Sequence, residues 1–263
     1  MRKEAGIYQH FALEERAFVE KMVDLCQRVE ESYSYHLTAF LNPREEEILH
    51  SIASFYQLNA FSSRTVFASE FVRMIIAPDY YVLQQADFEI VVLEISYPVK
   101  FHTLSHSQIL GTLIHQLGIK REWIGDIFLV DTRWFVMLDQ KFADLSQGTI
   151  TKISRVPVQW KECPLVAVPL VEEAEGKTIQ VLLSSLRLDK IVAVAFKLSR
   201  ANAGRLVESG HVKLDYREVT QTGKTVEMGQ LVSVRGFGRV RLKELLGISK
   251  QGKFKVELDI IKK

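Results

Sequence analysis

The middle third of the chain, residues 88–159, contains the pattern that most narrows the possible folds. Apolar spacing predicts six elements in this order: a strand at 88–95, a helix at 105–117 closed by Gly118, strands at 126–130 and 133–138, a short helix at 140–147, and a strand at 151–159. A tight turn at Asp131-Thr132 joins the second and third strands. The order β-α-β-β-α-β gives a four-stranded antiparallel sheet with two helices on one face.

This order is that of the ferredoxin-like architecture, which RNA-recognition modules share with many unrelated proteins. An RNA-recognition module also carries a Gly-Phe/Tyr-Gly pattern on an inner strand, and the segment 127–131, Ile-Phe-Leu-Val-Asp, lacks it. We therefore do not expect sequence-specific base stacking on this sheet.

The first part of the chain is predicted to be mainly helical. Apolar residues recur at helical spacing between residues 11 and 56. Asn42 precedes Pro43 and a run of three glutamates, which is typical of a capped helix start with acids near its positive end. Residues 57–80 are less regular and predict a short helix or strand that stops at Pro78.

A linker is predicted within residues 160–178, which contain Pro164, Pro169 and an acidic run at 172–175. We therefore expect an α+β protein in three parts. These are a helical N-terminal domain (1–80), a ferredoxin-like domain (81–176), and a small helix-turn-helix plus β-strand domain (181–263).

Composition excludes several classes of protein. With 47% hydrophobic and 25% charged residues, the chain is neither disordered nor collagen-like. The apolar run 191–196 is far below the roughly 18–20 residues of a membrane span. The charged N-terminus does not resemble a secretory signal, so we expect a cytoplasmic protein. Cys26 and Cys163 fit free thiols rather than a disulfide framework or a zinc finger.

The motifs that would indicate an enzyme are incomplete. The triplets Gly-Lys-Thr at 176–178 and 223–225 lack the earlier glycine of a phosphate-binding loop, since Val171 and Glu218 stand there. Three histidines, at 102, 106 and 115, have no carboxylate at metalloprotease spacing. Asp126 and Asp131 bracket a strand as turn residues commonly do. We expect no catalytic site, cofactor, metal or small-molecule substrate.

The net charge of +2 hides a strong asymmetry. Residues 181–263 carry 17 Lys and Arg against 8 Asp and Glu, whereas residues 1–180 carry 17 against 24. A basic module of this kind attracts a polyanion, and release of counterions from nucleic acid would make that association salt-dependent. Charge alone leaves open a merely solvated basic surface.

Local patterns in the basic third predict two helices and two strands. One helix starts within 186–190, and another runs from the cap Ser199 toward Gly210. In the second helix Ala203, Leu206 and Val207 form one apolar stripe, which leaves Arg200 and Arg205 facing outward. Strands follow at 211–214 and 230–234.

These elements resemble the small RNA-binding domain first seen in ribosomal small-subunit protein four. The matching segments are Arg187-Leu188-Asp189-Lys190, Ser199-Arg200 with Ala203, Leu206-Val207, Gly210-His211-Val212-Lys213-Leu214 and 229–234. The resemblance implies that the helix pair and the following loop dock on structured RNA. The RNA-binding residues that we predict are Arg187, Lys190, Ser199, Arg200, Arg205, Lys213, Arg217, Lys224, Arg235 and Arg239.

The chain departs from that domain at one turn. Many members have Asn-Gly where this chain has Asp215-Tyr216, so we do not expect a tight two-residue turn there. Tyr216 is instead expected to stack or pack.

Outside the basic third, the chain resembles the bacterial YlmH family. The similar segments are Glu14-Glu15-Arg16, 29–33, 37–45 and 117–127. Members of that family are encoded near cell-division genes and are implicated in rescue of stalled large ribosomal subunits that hold peptidyl-tRNA. The resemblance implies a non-catalytic binder of ribosomal RNA, tRNA or the large subunit.

Two other functions remain open at this point. The small RNA-binding domain is often attached to pseudouridine synthases and methyltransferases, which would make the chain an RNA-modifying enzyme. The gene context of the YlmH family suggests a scaffold associated with cell division. No active-site signature supports the enzyme, and only gene context supports the scaffold.

Overall fold

The computed structural model describes residues 8–164 and 176–262. Residues 8–164 belong to one compact unit and residues 176–262 to a second. Helices and strands occur in both units, which confirms the predicted α+β class. Pro169 and the acidic run of the predicted linker lie outside the described residues. Within the described residues, no helix has the length and apolar character needed to span a bilayer.

The first unit begins with a helix pair and a small sheet. Its elements are α1 (Arg16–Ser32), β1 (His36–Leu37), α2 (Pro43–Phe55), β2 (Asn59–Ser62) and β3 (Met74–Ala77). The predicted helices are confirmed, and an antiparallel sheet of order β1-β3-β2 adds to them. The Asn42 side chain accepts hydrogen bonds from the backbone N–H groups of Arg44 and Glu45, which confirms the predicted helix cap.

The core of this part lies between the two helices and β3. Leu49 and Ile52 of α2 are fully buried, and they share one apolar cluster with Val19 of α1 and with Met74 and Ile76 of β3. The opposite face of β3 packs Ile75 against Phe88. β3 is therefore buried on both faces and anchors this part of the unit to the segment that follows.

The middle of the chain has the predicted ferredoxin-like order. Its elements are β4 (Ile90–Ser96), α3 (His106–Leu117), β5 (Ile124–Val130), β6 (Arg133–Asp139), α4 (Gln140–Thr149), β7 (Lys152–Ile153), β8 (Val156–Pro157) and β9 (Gln159–Cys163). The sheet order is β5-β6-β4-β9, and every neighbouring pair is antiparallel. Ile109 and Leu113 of α3 and Ala143 of α4 pack against one face of this sheet.

The last strand of this sheet was predicted in the wrong place. The segment predicted as a strand at 151–159 mainly forms the short hairpin β7–β8, and the sheet strand is β9, which starts at Gln159 and otherwise lies in the predicted linker. Ser154 has a φ of 56°, which ends an extended segment. The apolar residues Ile153, Val156 and Val158 that suggested a strand instead fill the core beneath the helices.

Short 3-10 helices complete the first unit. They are Tyr8–His10, Leu13–Glu15, Ser63–Thr65, Gln85–Phe88 and Arg121–Trp123.

The second unit is a six-stranded antiparallel sheet with two helices on one face. Its elements are β10 (Lys177–Leu183), α5 (Leu188–Ala195), α6 (Arg200–Glu208), β11 (Val212–Leu214), β12 (Arg217–Glu218), β13 (Leu231–Val234), β14 (Gly238–Ile248) and β15 (Phe254–Lys262). The order is β10-β15-β14-β13-β11-β12. Ile191, Val192 and Val207 from the helices share a core with Val232 and Leu258 from the sheet.

Both predicted helices and both predicted strands of this unit are present, and three longer strands join them. β10 starts at Lys177, inside the predicted linker, and pairs with β15, the last strand of the chain. The sequence of the long strand β14 does not alternate regularly between apolar and polar residues, because its pairing with β15 shifts twice. The shifts lie between Leu242 and Glu244 and between Leu245 and Gly247. Each shift reverses the face to which the following side chains point, so the alternation is lost.

Candidate nucleic-acid interface

The predicted RNA-binding surface is built on the helix pair α5–α6. Leu188 and Ile191 of α5 and Ala203 and Val207 of α6 are fully buried, so the core fixes both helices. The Ser199 hydroxyl accepts a hydrogen bond from the N–H of Asn202 at 3.2 Å and caps α6. Ser199 therefore has a structural role at the start of the helix that carries Arg200 and Arg205.

Asp189 is the buried centre of this surface. Its side chain is only 5% exposed, and its two oxygens accept hydrogen bonds from Nε and Nη2 of Arg187, both at 3.1 Å. Nε of Arg200 donates to the same carboxylate at 3.0 Å. One carboxylate thus joins the start of α5 to the start of α6 and holds two arginines beside each other.

The electrostatics of this group leave an excess of positive charge. Burial by itself raises the pKa of Asp189, but hydrogen bonds from Arg187 and Arg200, together with their charges, outweigh burial and hold the pKa below its ordinary value of 3.8. The carboxylate therefore stays ionised at neutral pH. Because it balances only one of the two guanidinium charges, the other remains available to an anion.

The loop around 222–225 supports the ion-paired group of Asp189, Arg187 and Arg200. The N–H of Leu188 donates to the carbonyl of Lys224 at 2.8 Å, and the N–H of Asp189 donates to the carbonyl of Thr222 at 3.2 Å. A Cβ built on Gly223 would lie 3.2 Å from Nη1 of Arg187, so this backbone lies directly behind the arginine. The second Gly-Lys-Thr triplet thus forms a turn that holds α5, and Lys224 is exposed at this turn.

Two further predicted residues lie on the same helices. Nζ of Lys190 donates to the Ser184 hydroxyl at 2.7 Å. Arg205 is exposed on α6, and its guanidinium donates to the Asn202 side chain. We define the α5–α6 surface as six side chains that carry a net charge of +4, namely Arg187, Lys190, Arg200, Arg205 and Lys224 around Asp189.

Lys213 and Arg239 lie elsewhere, although the resemblance placed Lys213 with the helix pair. Val212 and Leu214 point into the core beneath α5 and α6, so Lys213, between them, points out of the opposite face of the sheet. Lys213 is opposite Ser233, which is opposite Arg239. These three residues therefore lie on the face of the sheet opposite the α5–α6 surface.

The two remaining predicted residues lie at turns. Arg217 opens β12 and is opposite Leu214. Arg235 is exposed in the turn between β13 and β14, where Phe237 packs on Phe196 at the end of α5, with ring centroids 5.9 Å apart. The structure therefore gathers five of the predicted basic residues at one surface and distributes four others over the sheet.

The tight turn that we did not expect is present. Leu214 pairs with Arg217, which leaves Asp215 and Tyr216 as a two-residue turn, with φ values of 46° and 67°. Two positive φ angles are typical of the turn that Asn-Gly usually forms. The Asp215 carboxylate accepts hydrogen bonds from the N–H of Leu231 and the side chain of Gln230, both at 2.8 Å, and so holds a turn without glycine.

The other possible functional groups in the sequence include Asp126 and the two cysteines. Asp126 accepts hydrogen bonds from the N–H groups of Glu70 and Phe71, at 2.7 and 2.9 Å. Cys26 is buried, which raises its pKa to about 12, and both cysteines are free thiols. No three His, Cys, Asp or Glu side chains gather as a metal site within residues 8–164 and 176–262.

Asp189 belongs to the matched sequence motif, but the sequence indicates no role for it. We expect Asp189→Asn to lower the melting temperature of the second unit by roughly 5–10 °C, because it removes hydrogen bonds between a buried charge and two arginines. Since the pKa of folded Asp189 lies below 3.8, its stabilisation is complete above that pH and is lost as the pH falls through the folded value. Thermal circular dichroism between pH 2 and pH 7 tests this, and an equal acid dependence in the variant would contradict it.

Comparison with protein families gives three matches along the chain. Residues 14–81 match the family described as "YlmH, N-terminal", and residues 84–167 match "Putative RNA-binding domain in YlmH". Residues 186–232 match the S4 domain, and this range contains the α5–α6 surface.

Comparison with individual proteins extends these matches over the whole length. The chain is 32% identical over 258 residues to the ribosome-associated protein quality control protein P2 of Bacillus subtilis, covering 97% of this chain and 98% of that protein. It is 41% identical over 69 residues to small ribosomal subunit protein uS4 of Chloroflexus aurantiacus, covering 25% of this chain and 34% of that protein. A solved structure, the cell division protein ylmH from Streptococcus pneumoniae, is 43% identical with a TM-score of 0.55, covering 60% of this chain and 96% of that one.

Proposed function

This chain belongs to the YlmH family, and we propose that it is a non-catalytic RNA-binding protein that acts in rescue of stalled large ribosomal subunits. Its partners in this proposal are structured ribosomal RNA, tRNA and the large subunit. The name of the Bacillus subtilis relative refers to ribosome-associated quality control, and the identity between the two chains extends over nearly their full lengths. The site of action would be the cytoplasm, where ribosomes are.

The α5–α6 surface is the observation that carries this proposal. Two arginines fixed on one buried carboxylate are pre-organised, so little side-chain entropy is lost when they contact phosphate. Lys190, Arg205 and Lys224 add charge that binds phosphates of any sequence. Such a surface recognises the backbone of a folded RNA, and it supplies no group in the arrangement of a nucleophile and its base.

We propose that the three domains predicted from the sequence, 1–80, 81–176 and 181–263, also have separate functions. The basic domain would bind RNA. The other two domains would set the orientation of the basic domain and contact further RNA or protein partners. The excess of acid in residues 1–180 supports this division, because it disfavours a continuous RNA-binding surface over the whole chain.

Co-sedimentation tests the proposal. The tagged full chain is mixed with purified large subunits, with and without bound peptidyl-tRNA, and run through sucrose gradients at low and high salt. We expect the chain to migrate with the large subunit, more strongly when tRNA is present, and to be released as salt rises. A chain that stays at the top of every gradient would contradict the proposal.

A second candidate function is a scaffold in cell division, which the name of the Streptococcus pneumoniae structure favours. A pulldown from nuclease-treated extract separates the two functions. Retention of a division protein after RNA removal would support the scaffold, whereas loss of all partners with the RNA would support the ribosomal function.

A further inference from the structure

The ferredoxin-like sheet has one face that RNA-recognition modules use for stacking bases. In this chain that face, opposite α3 and α4, carries Phe128 and Phe135. Their rings are stacked with centroids 5.4 Å apart. Aromatic residues on a free sheet face of this type would form a platform for unpaired bases.

The face is covered by the chain itself. Phe67, from the segment before β3, stacks on Phe128 with centroids 6.3 Å apart, and Phe40 belongs to the same buried cluster. A Cβ built on Gly125 of β5 would lie 2.7 Å from the Phe40 ring, so the segment that carries Phe40 is in close contact with β5. Phe135 is fully buried and Phe128 is 9% exposed. Bases therefore have no access to these rings.

One end of the sheet offers a different surface. Ser96 at the end of β4 is opposite Gln159 at the start of β9, and Ile95 is opposite Trp134 near the start of β6. Three connections therefore meet at this end: residues 97–105, the turn 131–132, and the hairpin that leads into β9.

This end is basic. From 97–105, 131–133 and 150–158 the charged residues are Lys100, Arg133, Lys152, Arg155 and a single acid, Asp131. Lys100, Lys152 and Arg155 are exposed, while Arg133 lies 4.0 Å from Glu94. The local charge is positive although the unit as a whole is acidic, so a polyanion would approach the unit at this end.

Phe101 follows Lys100 in the first of these connections and is 81% exposed. It lies in a fixed turn, because the N–H groups of Phe101 and His102 both donate to the carbonyl of Pro98, at 3.1 and 3.2 Å. Leu104, three residues later, is buried and anchors the loop to the core under α3. An aromatic ring held in water between Lys100 and His102 has the properties of a stacking residue for unpaired bases.

We propose that Phe101, with Lys100, Lys152 and Arg155, forms a second RNA contact that stacks an unpaired base of a structured RNA. The ring binds the face of the base, and the three cations bind the flanking phosphates. This inference rests on the proposed function, since it assigns the first unit a part in binding the same class of RNA. It also places the contact at the end of the sheet rather than on its covered face.

The test measures binding of the full chain to two RNAs, a stem with an unpaired loop and a fully paired duplex of equal length. We expect Phe101→Ala to weaken binding of the stem-loop about tenfold and to leave duplex binding unchanged. Phe101→Trp should restore stem-loop affinity. The salt dependence should stay the same in Phe101→Ala, because stacking releases no counterions.

Comparison with a variant of the α5–α6 surface separates this inference from the proposed function. If Arg205→Glu with Lys224→Glu weakens binding of both RNAs about a hundredfold and Phe101→Ala affects only the stem-loop, both proposals are supported. If the double variant binds normally while Phe101→Ala weakens the stem-loop, the α5–α6 surface fails and this contact stands. Normal stem-loop binding by Phe101→Ala, or equal loss on both RNAs, would overturn the stacking contact.

Discussion

Reversing the charges of Arg205 and Lys224 together lowers the affinity of the full chain for structured RNA about a hundredfold at 0.1 M salt. Fewer counterions are then released from the RNA, and each new carboxylate adds repulsion. The slope of log affinity against log salt should flatten by about 0.7–0.9 for each phosphate that the variant no longer neutralises. The fall in affinity should be similar for RNAs of different sequence, because phosphate contacts position a protein without reading bases.

Arg205 and Lys224 are chosen because both are exposed and neither touches Asp189. Arg200→Glu would instead place two carboxylates together and destabilise the helix pair. The matched control is Lys141→Glu with Lys255→Glu, which changes the net charge equally. Lys141 lies in the first turn of α4 in the first unit, and Lys255 is exposed on β15 beside the buried Val256. Equally weakened binding in both double variants would show that only total charge matters.

Breaking the buried ion pair between Arg73 and Asp139 should destabilise the first unit by about 3–5 kcal/mol. Nη1 of Arg73 lies 3.0 Å from Oδ2 of Asp139, and the side chains are 3% and 0% exposed. Nε of Arg73 also donates to the carbonyl of Thr38 at 2.8 Å. Removal of the carboxylate leaves a guanidinium charge in the core, where burial already lowers the pKa of Arg73.

Two variants separate the ion pair from the helix cap. Asp139 also accepts a hydrogen bond from the N–H of Lys141 at 2.9 Å and caps α4. Asparagine is a good cap, so Asp139→Asn should lose the ion pair alone, and Asp139→Ala should cost about 1 kcal/mol more. The double variant Arg73→Met with Asp139→Leu should recover part of the stability, because it removes the unpaired charge but leaves α4 without its cap.

Tryptophan fluorescence during urea unfolding measures these changes in the first unit. All three tryptophans of the chain, at 123, 134 and 160, lie in residues 8–164, so the signal reports that unit alone. An Asp139→Asn midpoint equal to that of the wild type would show that the Arg73 charge is not desolvated.

The sequence predicts those structural features best that depend on residues close together in the chain. Asn42-Pro43 predicts the start of α2, and Ser199 predicts the start of α6, because a cap depends on residues within one turn. The order of the ferredoxin-like elements follows from apolar periodicity in the same way. The shifted last strand shows the limit, because one positive φ at Ser154 converts a predicted strand into a hairpin.

Contacts between distant segments were not predictable from periodicity. The covering of Phe128 by Phe67 joins residues about sixty positions apart, and periodicity reports that each is buried without giving its partner. Likewise, the motif around 187–190 contains Asp189, but only the fold brings Arg200 to it. Lys213 was grouped with the helices by resemblance, whereas the face covered by α5 and α6 decides where its side chain points.

Ultraviolet crosslinking of the full chain to purified large subunits, followed by mass spectrometry of RNA-linked peptides, tests the central claim most directly. The account predicts crosslinks concentrated in residues 186–226, around the α5–α6 surface, with a separate peptide containing Phe101. Crosslinks confined to residues outside 186–226, or none in the presence of bound subunits, would contradict the claim that this surface binds ribosomal RNA.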